Sequence, residues 1–260
     1  DVQFLPLSRG DGPGNPIDFF IKRKLKGENL SLANQSGPRE FIRRASYDLL
    51  GLPPKPKQVE DFVKSFEKDA FRAKVELVDR LLADRAYGER WATHWLDVVR
   101  FAESDGYRAD GFRPSAHLYR DYVVGSLNED KPYDRFVFEQ VAGDTVREHA
   151  ATGFIVAGPK DIVDGKDPLL RKQQRANELA DMVGVTGSAF LGLTVGCARC
   201  HDHKFDPISQ EDFYSMQAVF EGVVHGERNV PLRDGVKKEI EELGAEKSLL
   251  QKELRRFVPE

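Results

Sequence analysis

Cysteine, methionine and tryptophan are scarce in this chain, with two of each among 260 residues. No further thiol therefore competes with Cys197 and Cys200, and the two can be read as one unit. Their number does not set the redox compartment, because a single chemistry can consume both. No run of eighteen apolar residues occurs, which excludes a membrane-spanning helix in this stretch. The opening DVQFLPLSRGDGPGNP lacks a basic start and an apolar centre, so no signal peptide is visible in it. Lys and Arg number 39 against 43 Asp and Glu, a net charge of −4 that argues against nucleic acid as a partner. There is no Ser-His-Asp order, no phosphate loop and no His-Glu-x-x-His helix. Period-two alternation is missing too, so nothing predicts a β-sheet. Hydrophobic residues at 40% and charged residues at 32% leave a globular domain with a heavily charged surface.

Helical periodicity is abundant. Residues 1–15, with three glycines and two prolines, read as a linker. From Pro16 onward Ile17, Phe20, Ile21 and Leu25 share one helical face. A second stripe, Phe41, Ile42, Ala45, Leu49 and Leu50, stops at Gly51-Leu52-Pro53-Pro54. Helices are expected over 57–67 and 70–84, the latter with Phe71, Val75, Val78 and Leu82 as its stripe. Another holds both tryptophans, Trp91 and Trp95. Residues 103–113 read as a polar loop, 114–127 and 133–142 as helices, and 150–174 as irregular chain. Helices at 175–191, with Leu179, Met182, Val183, Thr186 and Phe190 in register, and at 209–221 complete a mainly α domain over 16–228. In the tail, 235–258, Val236, Ile240, Leu243, Leu250, Leu254 and Phe257 keep heptad spacing, broken by Lys247. That pattern fits a coiled-coil-like helix leading to a further module, and equally an amphipathic helix packed on its own domain.

Between the last two helices of the domain stands Cys197-Ala198-Arg199-Cys200-His201. C-x-x-C-H is the attachment signature of haem c. Two thiols three positions apart can form thioethers to the two vinyl groups of one porphyrin. The adjacent histidine is then held where its ring can ligate the iron. A redox dithiol would need a βαβ setting, which is absent. A zinc site from Cys197, Cys200, His201 and His203 is chemically possible but cramped, since structural zinc takes ligands from two separated pairs. The reading is one covalent haem c on Cys197 and Cys200, with His201 as proximal metal ligand. A carbonyl or carboxylate accepting the His201 Nδ1–H would tune its basicity. His203, two residues on, cannot reach the opposite face of the same porphyrin; it is read as a propionate partner or a solvent-facing loop residue. Asp206-Pro207 reads as a turn before the next helix.

The stretch FLGLTVGCARCHDHKFDPISQEDFYSMQAVFEGV resembles the second type of planctomycete cytochrome c domain, a family with no established reaction. ERWATHWLDVVRFAESDGYRADGFRPSAHLYRDYVVGSLNEDKPYDRFVFEQVAGD is similar to that family's other signature block, and the likeness covers about residues 16–225. The resemblance implies a module of a larger periplasmic or secreted protein, beside cytochrome-like and carbohydrate-binding-like modules; the haem reading itself, which places attachment outside the cytoplasmic membrane, implies a removed leader. A redox partner protein or neighbouring cytochrome module, and a carbohydrate, are its implied partners. Within the second block His94 lies between the two tryptophans, which makes it the favoured candidate for the other metal ligand or a distal-pocket residue. Met216, Met182, His117, His149 and His225 are further candidates, and an open iron site is the alternative. The loop residues Asp105, Tyr107, Asp110, Arg113, Tyr119, Arg120 and Asp121 form either a polar site beside the haem or a structural ion-pair network. Calcium is a third reading, without the EF-hand pattern to support it. Electron transfer is the expected function. A haem-dependent oxidoreductase acting on peroxide, oxygen or carbohydrate is the alternative, and a zinc-stabilised binding module without haem is a third.

Overall fold

Proline opens four of the helices. Pro16, Pro38, Pro56 and Pro168 each stand at the first helical position, where the missing N–H costs nothing and the fixed φ suits the turn. The computed structural model describes residues 16–163, 167–226 and 235–254. The expected linker at 1–15 and the heptad residue Phe257 lie outside them. Ten α-helices and no strand occur among the described residues: α1 (Pro16–Gly27), α2 (Pro38–Leu50), α3 (Pro56–Lys68), α4 (Ala70–Leu82), α5 (Arg85–Val98), α6 (Ala116–Asn128), α7 (Tyr133–Ala142), α8 (Pro168–Thr186), α9 (Gln210–Val219) and α10 (Val236–Leu254). The mainly α class expected from periodicity is the class observed. One isolated antiparallel bridge, Ser104 with Phe112, closes the polar loop.

The chain divides into two compact units. One comprises residues 16–48 and 52–80 of the described chain. Ile42, Phe62, Ala73 and Leu77 are buried in it, and the Phe41 and Phe62 rings stack 6.0 Å apart. The ammonium of Lys74 sits over Phe41 and Phe66, covering their outer faces. The α4 stripe named from sequence points the other way. Phe71 is 80% exposed, and Ala73, Leu77 and Leu81 are buried instead. This helix carries two apolar stripes, and the one containing small Ala73 and unbranched-at-Cβ leucines is the one that is buried.

The second unit comprises 49–51 and the chain from Leu81 onward. Its core joins Ala92 of α5 and Val99 at its C-terminal cap, Tyr119 and Val123 of α6, Phe136 of α7, Phe154 and Ile155, then Leu179, Met182, Val183 and Val185 of α8. Val195, Ala198, Phe213 and Phe220 complete it. Inside it lies a closed polar triangle. Trp95 Nε1 donates to the Tyr119 hydroxyl and to Gln140 Oε1, both at 3.0 Å, and Tyr119 donates to Gln140 Oε1 at 2.6 Å. Burial holds the Tyr119 phenol protonated far above its ordinary range, despite the opposing bond from Trp95 and the charge of Arg100, so it remains a donor. Helix α8 begins at Pro168, seven residues earlier than periodicity suggested, because Asp167 caps it by accepting from Leu169 N at 2.9 Å. The C-terminal helix α10 is continuous over its 19 residues, with Ile240, Leu243, Leu250 and Leu254 exposed.

A buried carboxylate fixes α7 beside the core. Glu139 is 2% exposed and receives bonds from Lys131 Nζ, Arg135 Nε and the Tyr122 hydroxyl. Burial alone would raise its pKa, but those three donors outweigh it and hold Glu139 below the ordinary glutamate range. A depressed folded-state pKa gives stability that is complete above the unfolded value, about 4.3, and is lost as pH falls through the folded value. Glu139→Gln leaves Lys131 a poorly solvated, unpaired cation and is expected to cost about 3 kcal/mol at pH 7. Urea unfolding of both proteins between pH 3 and 7 checks this, and the difference should shrink toward the acid end.

Candidate functional site

The segment from α8 to α9 carries the Cys-x-x-Cys-His motif, and each part of it is held by a separate contact. Helix α8 relaxes into a π turn over Gly187–Leu191 and stops at Gly192, whose φ of 66° is the left-handed conformation glycine adopts without strain. The chain then forms a 3₁₀ turn over Val195–Arg199. Val195 and Ala198 are buried there, at 6% and 0% exposure, inside the same core as Met182 and Phe213. Cys197 and Cys200, on either side of Ala198, are free and exposed. The Cys200 amide donates to the Cys197 carbonyl at 3.3 Å, so a single tight turn presents both thiols.

Polar contacts complete the mounting. The Arg199 carbonyl accepts from Gln210 Nε2 at 3.2 Å and from the Tyr214 hydroxyl at 3.0 Å, both on α9. Its guanidinium donates to Asn177 Oδ1 of α8 at 2.8 Å. Asp202 Oδ1 accepts from the Gln210 amide at 2.8 Å, in the first turn of α9. That helix opens with a reciprocal cap between Ser209 and Asp212, whose carboxyl is held below its ordinary range by the Ser209 amide and hydroxyl. At its far end Arg175 donates to the carbonyls of Glu221 and Val223, each at 2.7 Å. Sequence reading missed Arg175, Asn177 and Tyr214; their only signal is proximity in the fold.

The two histidines of the motif region are held in opposite tautomers. His201 is exposed, and its Nδ1 lies 2.8 Å from the Asp202 carbonyl. A carbonyl can only accept, so Nδ1 carries the proton and in the neutral ring Nε2 keeps its lone pair. This is the form in which an imidazole ligates a metal, and a carbonyl is one of the two kinds of acceptor, carbonyl or carboxylate, that the sequence left open for it. His203 differs. Its Nδ1 lies 2.9 Å from the Asp206 amide and 3.3 Å from the Phe205 amide, so that nitrogen must accept. The proton is therefore on Nε2, which donates to Thr194 Oγ1 at 3.3 Å. The Asp206 carboxylate also lies 3.3 Å from Nδ1, but two amide donors outweigh one carboxylate in setting the tautomer. The His203 side chain is 8% exposed, neither a solvent-facing residue nor one with an N–H to offer a propionate. Asp206-Pro207 forms the expected turn, with the Ile208 amide donating to the Asp206 carbonyl at 2.8 Å.

A covalent porphyrin fits this arrangement chemically. Two free thiols share one exposed turn, an adjacent imidazole offers Nε2, and Phe205 (84% exposed) and Tyr214 supply aromatic surface nearby in sequence and contact. Zinc fits less well. With both nitrogens of His203 committed, Cys197, Cys200 and His201 are left, and no cluster of three or more His, Cys, Asp or Glu side chains poised for a metal occurs among the described residues.

The other candidates are dispersed. His94 is exposed on α5, its ring edge-on to Trp91 at 5.6 Å, while Ala92, Trp95, Leu96 and Val99 form the core face. It stands roughly opposite that face on the helical wheel. Met182 is buried in the core and Met216 packs against it. His117 is exposed and donates from Nδ1 to the Pro114 carbonyl at 2.9 Å. His225 is half-buried with an Nδ1 that makes no hydrogen bond among the described residues. Burial, with Lys160 and Arg113, pushes its pKa down against Glu178 and Asp105.

The polar loop 103–113 is a structural network. Arg113 Nε donates to Asp105 Oδ1 at 2.6 Å, with both side chains largely buried. The same guanidinium donates to the carbonyls of Val156, Ala157 and Gly158. Asp110 accepts from the Gly106 amide, Arg120 pairs with Glu103 and Asp121, and Arg100 pairs with Asp181. The Asp105, Asp110 and Arg113 side chains are thus committed to holding the loop.

Because Ala198 anchors the turn by complete burial, Ala198→Leu is expected to overpack the core by about 1–3 kcal/mol. Thermal unfolding measures the loss, and faster thiol labelling at Cys197 and Cys200 shows that the turn has moved. A swap at exposed Gly196 should do neither.

No curated protein and no solved structure matches this chain. Residues 16–225, which include the motif and its mounting, match the PSCyt2 family, described as a protein of unknown function (DUF1549). With that match spanning most of its length, the chain belongs to the PSCyt2 family.

Proposed function

We propose that this domain carries one covalent haem c on Cys197 and Cys200 and moves single electrons within a larger extracytoplasmic protein. The observation that carries the reading is the tautomer of His201. Its Nδ1–H is spent on the Asp202 carbonyl, leaving Nε2 free beside two exposed thiols. The thiols would hold the group, and His201 would supply the proximal nitrogen. Bound there, the group supplies a one-electron redox centre whose potential follows from axial ligation, burial and hydrogen bonding. The protein's own part is to fix the His201 ring through that carbonyl and to keep the turn rigid through Ala198, Arg199 and Asp202. The electron would pass to a redox protein or a neighbouring cytochrome module. The likeness of the motif blocks to modules found beside carbohydrate-binding ones supports a link to polysaccharide use.

A second reading has specific support. His203 is committed on both nitrogens, Met182 is inside the core, and His94 faces away from it. Those positions favour an iron with an open second side, and hence a haem-dependent oxidoreductase acting on peroxide, oxygen or carbohydrate. The proposed iron site does not use His94.

Expression with export in a host able to attach haem c tests the proposal. An alkaline pyridine haemochrome spectrum of the c type should persist after acid-acetone extraction. The double variant Cys197→Ala/Cys200→Ala should lose the colour altogether. His201→Ala should keep attached haem but alter the ligand-sensitive bands, and His94→Ala should leave them unchanged. Cyanide or carbon monoxide binding by the native protein selects the enzyme reading, and indifference to both selects the electron carrier. Colourless wild-type protein from that host sinks both.

A further inference from the structure

His203 spends every polar atom of its ring on the chain around the motif. Nε2–H reaches back to Thr194, the residue immediately before the 3₁₀ turn. Nδ1 reaches forward to the amides of Phe205 and Asp206. The backbone of the same residue closes the loop again, its amide donating to the Ile208 carbonyl at 2.8 Å. The ring therefore ties the segment entering the Cys-x-x-Cys-His turn to the segment leaving it. The residues in the closed ring of chain, 194–203, are those that carry both thiols and His201.

We infer that His203 is a positioning residue for cofactor attachment, a clamp that holds the turn in its attachment-ready form before any haem arrives. This rests on the haem reading of Cys197, Cys200 and His201. The hydrogen-bond inventory excludes other roles for this side chain. As a ligand it would need a lone pair on Nε2, where the proton sits, and as a propionate partner it would need a spare N–H. Thr194 contributes an acceptor, and its β-branched side chain has few rotamers in which to wander. Among the described residues the half-buried Asp206 amide has no other partner, so losing the ring leaves a donor unsatisfied in the bend before Pro207.

Asparagine and glutamine separate the two halves of the clamp. The Asn carbonyl oxygen replaces the Nδ1 acceptor, whereas the Gln amide group reaches toward Thr194 as Nε2–H does. The apo protein, made without attachment machinery, reports the clamp directly through amide exchange at Phe205 and Asp206. The same proteins made in a haem-attaching host report covalent haem per polypeptide by intact mass. In H203A both amides should exchange about tenfold faster, and the haem-bearing fraction should fall about tenfold. H203N should restore most of both, and H203Q less. An H203A protein with wild-type exchange and wild-type haem content overturns the inference, as does an H203N no better than H203A. If H203A does not fold, H203N above H203Q in haem content supports the clamp, and the reverse order overturns it. Wild-type protein without haem, in which H203A still speeds the two amides and H203N slows them, overturns the haem assignment while supporting the clamp.

Discussion

Burial of Ala198 is the constraint on which the site depends. A five-residue motif has to show solvent two thiols and an imidazole, yet remain fixed to a helical core. The solution is to sink the one small residue between the thiols to 0% exposure, with Val195 beside it. A 3₁₀ turn makes this possible, because three residues per turn set Cys197 and Cys200 on the same side and Ala198 on another. Gly187 makes room for it: a Cβ there would come within 2.8 Å of Val195 Cγ2. The π turn and its left-handed end at Gly192 then deliver the chain to that position without α-helical continuation.

Around this anchor the structure favours rigidity over access. Arg199 is bonded through both its carbonyl and its guanidinium, Asp202 ties the motif to the start of α9, and Arg175 ties the end of α9 to α8. Each bond is individually modest, about 1 kcal/mol net. Together they tie the loop to α8 and α9, which suits the proposed electron-transfer role, where a ligand should not wander between oxidation states. The buried triangle of Trp95, Tyr119 and Gln140 and the carboxylate of Glu139 serve the same end further away, by fixing how α5, α6 and α7 meet.

Much of the fold was legible in the sequence, and the failures have physical causes. Helix α1, opening at Pro16, and helix α2, running from Pro38 to the Gly51-Leu52-Pro53-Pro54 break, stood where punctuation placed them. The start of α8 was missed although Asp167-Pro168 is a cap followed by a first-turn proline, because the surrounding Gly, Pro, Asp and Lys masked it. On α4 the periodicity was right and the face was wrong, since Phe71 with Val75 and Ala73 with Leu77 repeat equally well. In the candidate site, residue type and spacing single out Cys197, Cys200 and His201, and the structure presents both thiols exposed on one turn. Type and spacing do not reveal how His203 is bonded, which depends on which nitrogen faces which amide, a matter of three-dimensional geometry alone. The polar loop lay between: its charge cluster was visible, and the pairing of Arg113 with three carbonyls was not.

Covalent attachment of the proposed haem is decided by the mass of one peptide. Protein exported from a haem-attaching host should be digested and the peptide containing Cys197, Cys200 and His201 weighed. Thioether formation adds each thiol across a vinyl group with nothing lost, so that peptide should be heavier by one complete haem. The same peptide at its unmodified mass, with both thiols free or joined to each other, would contradict it.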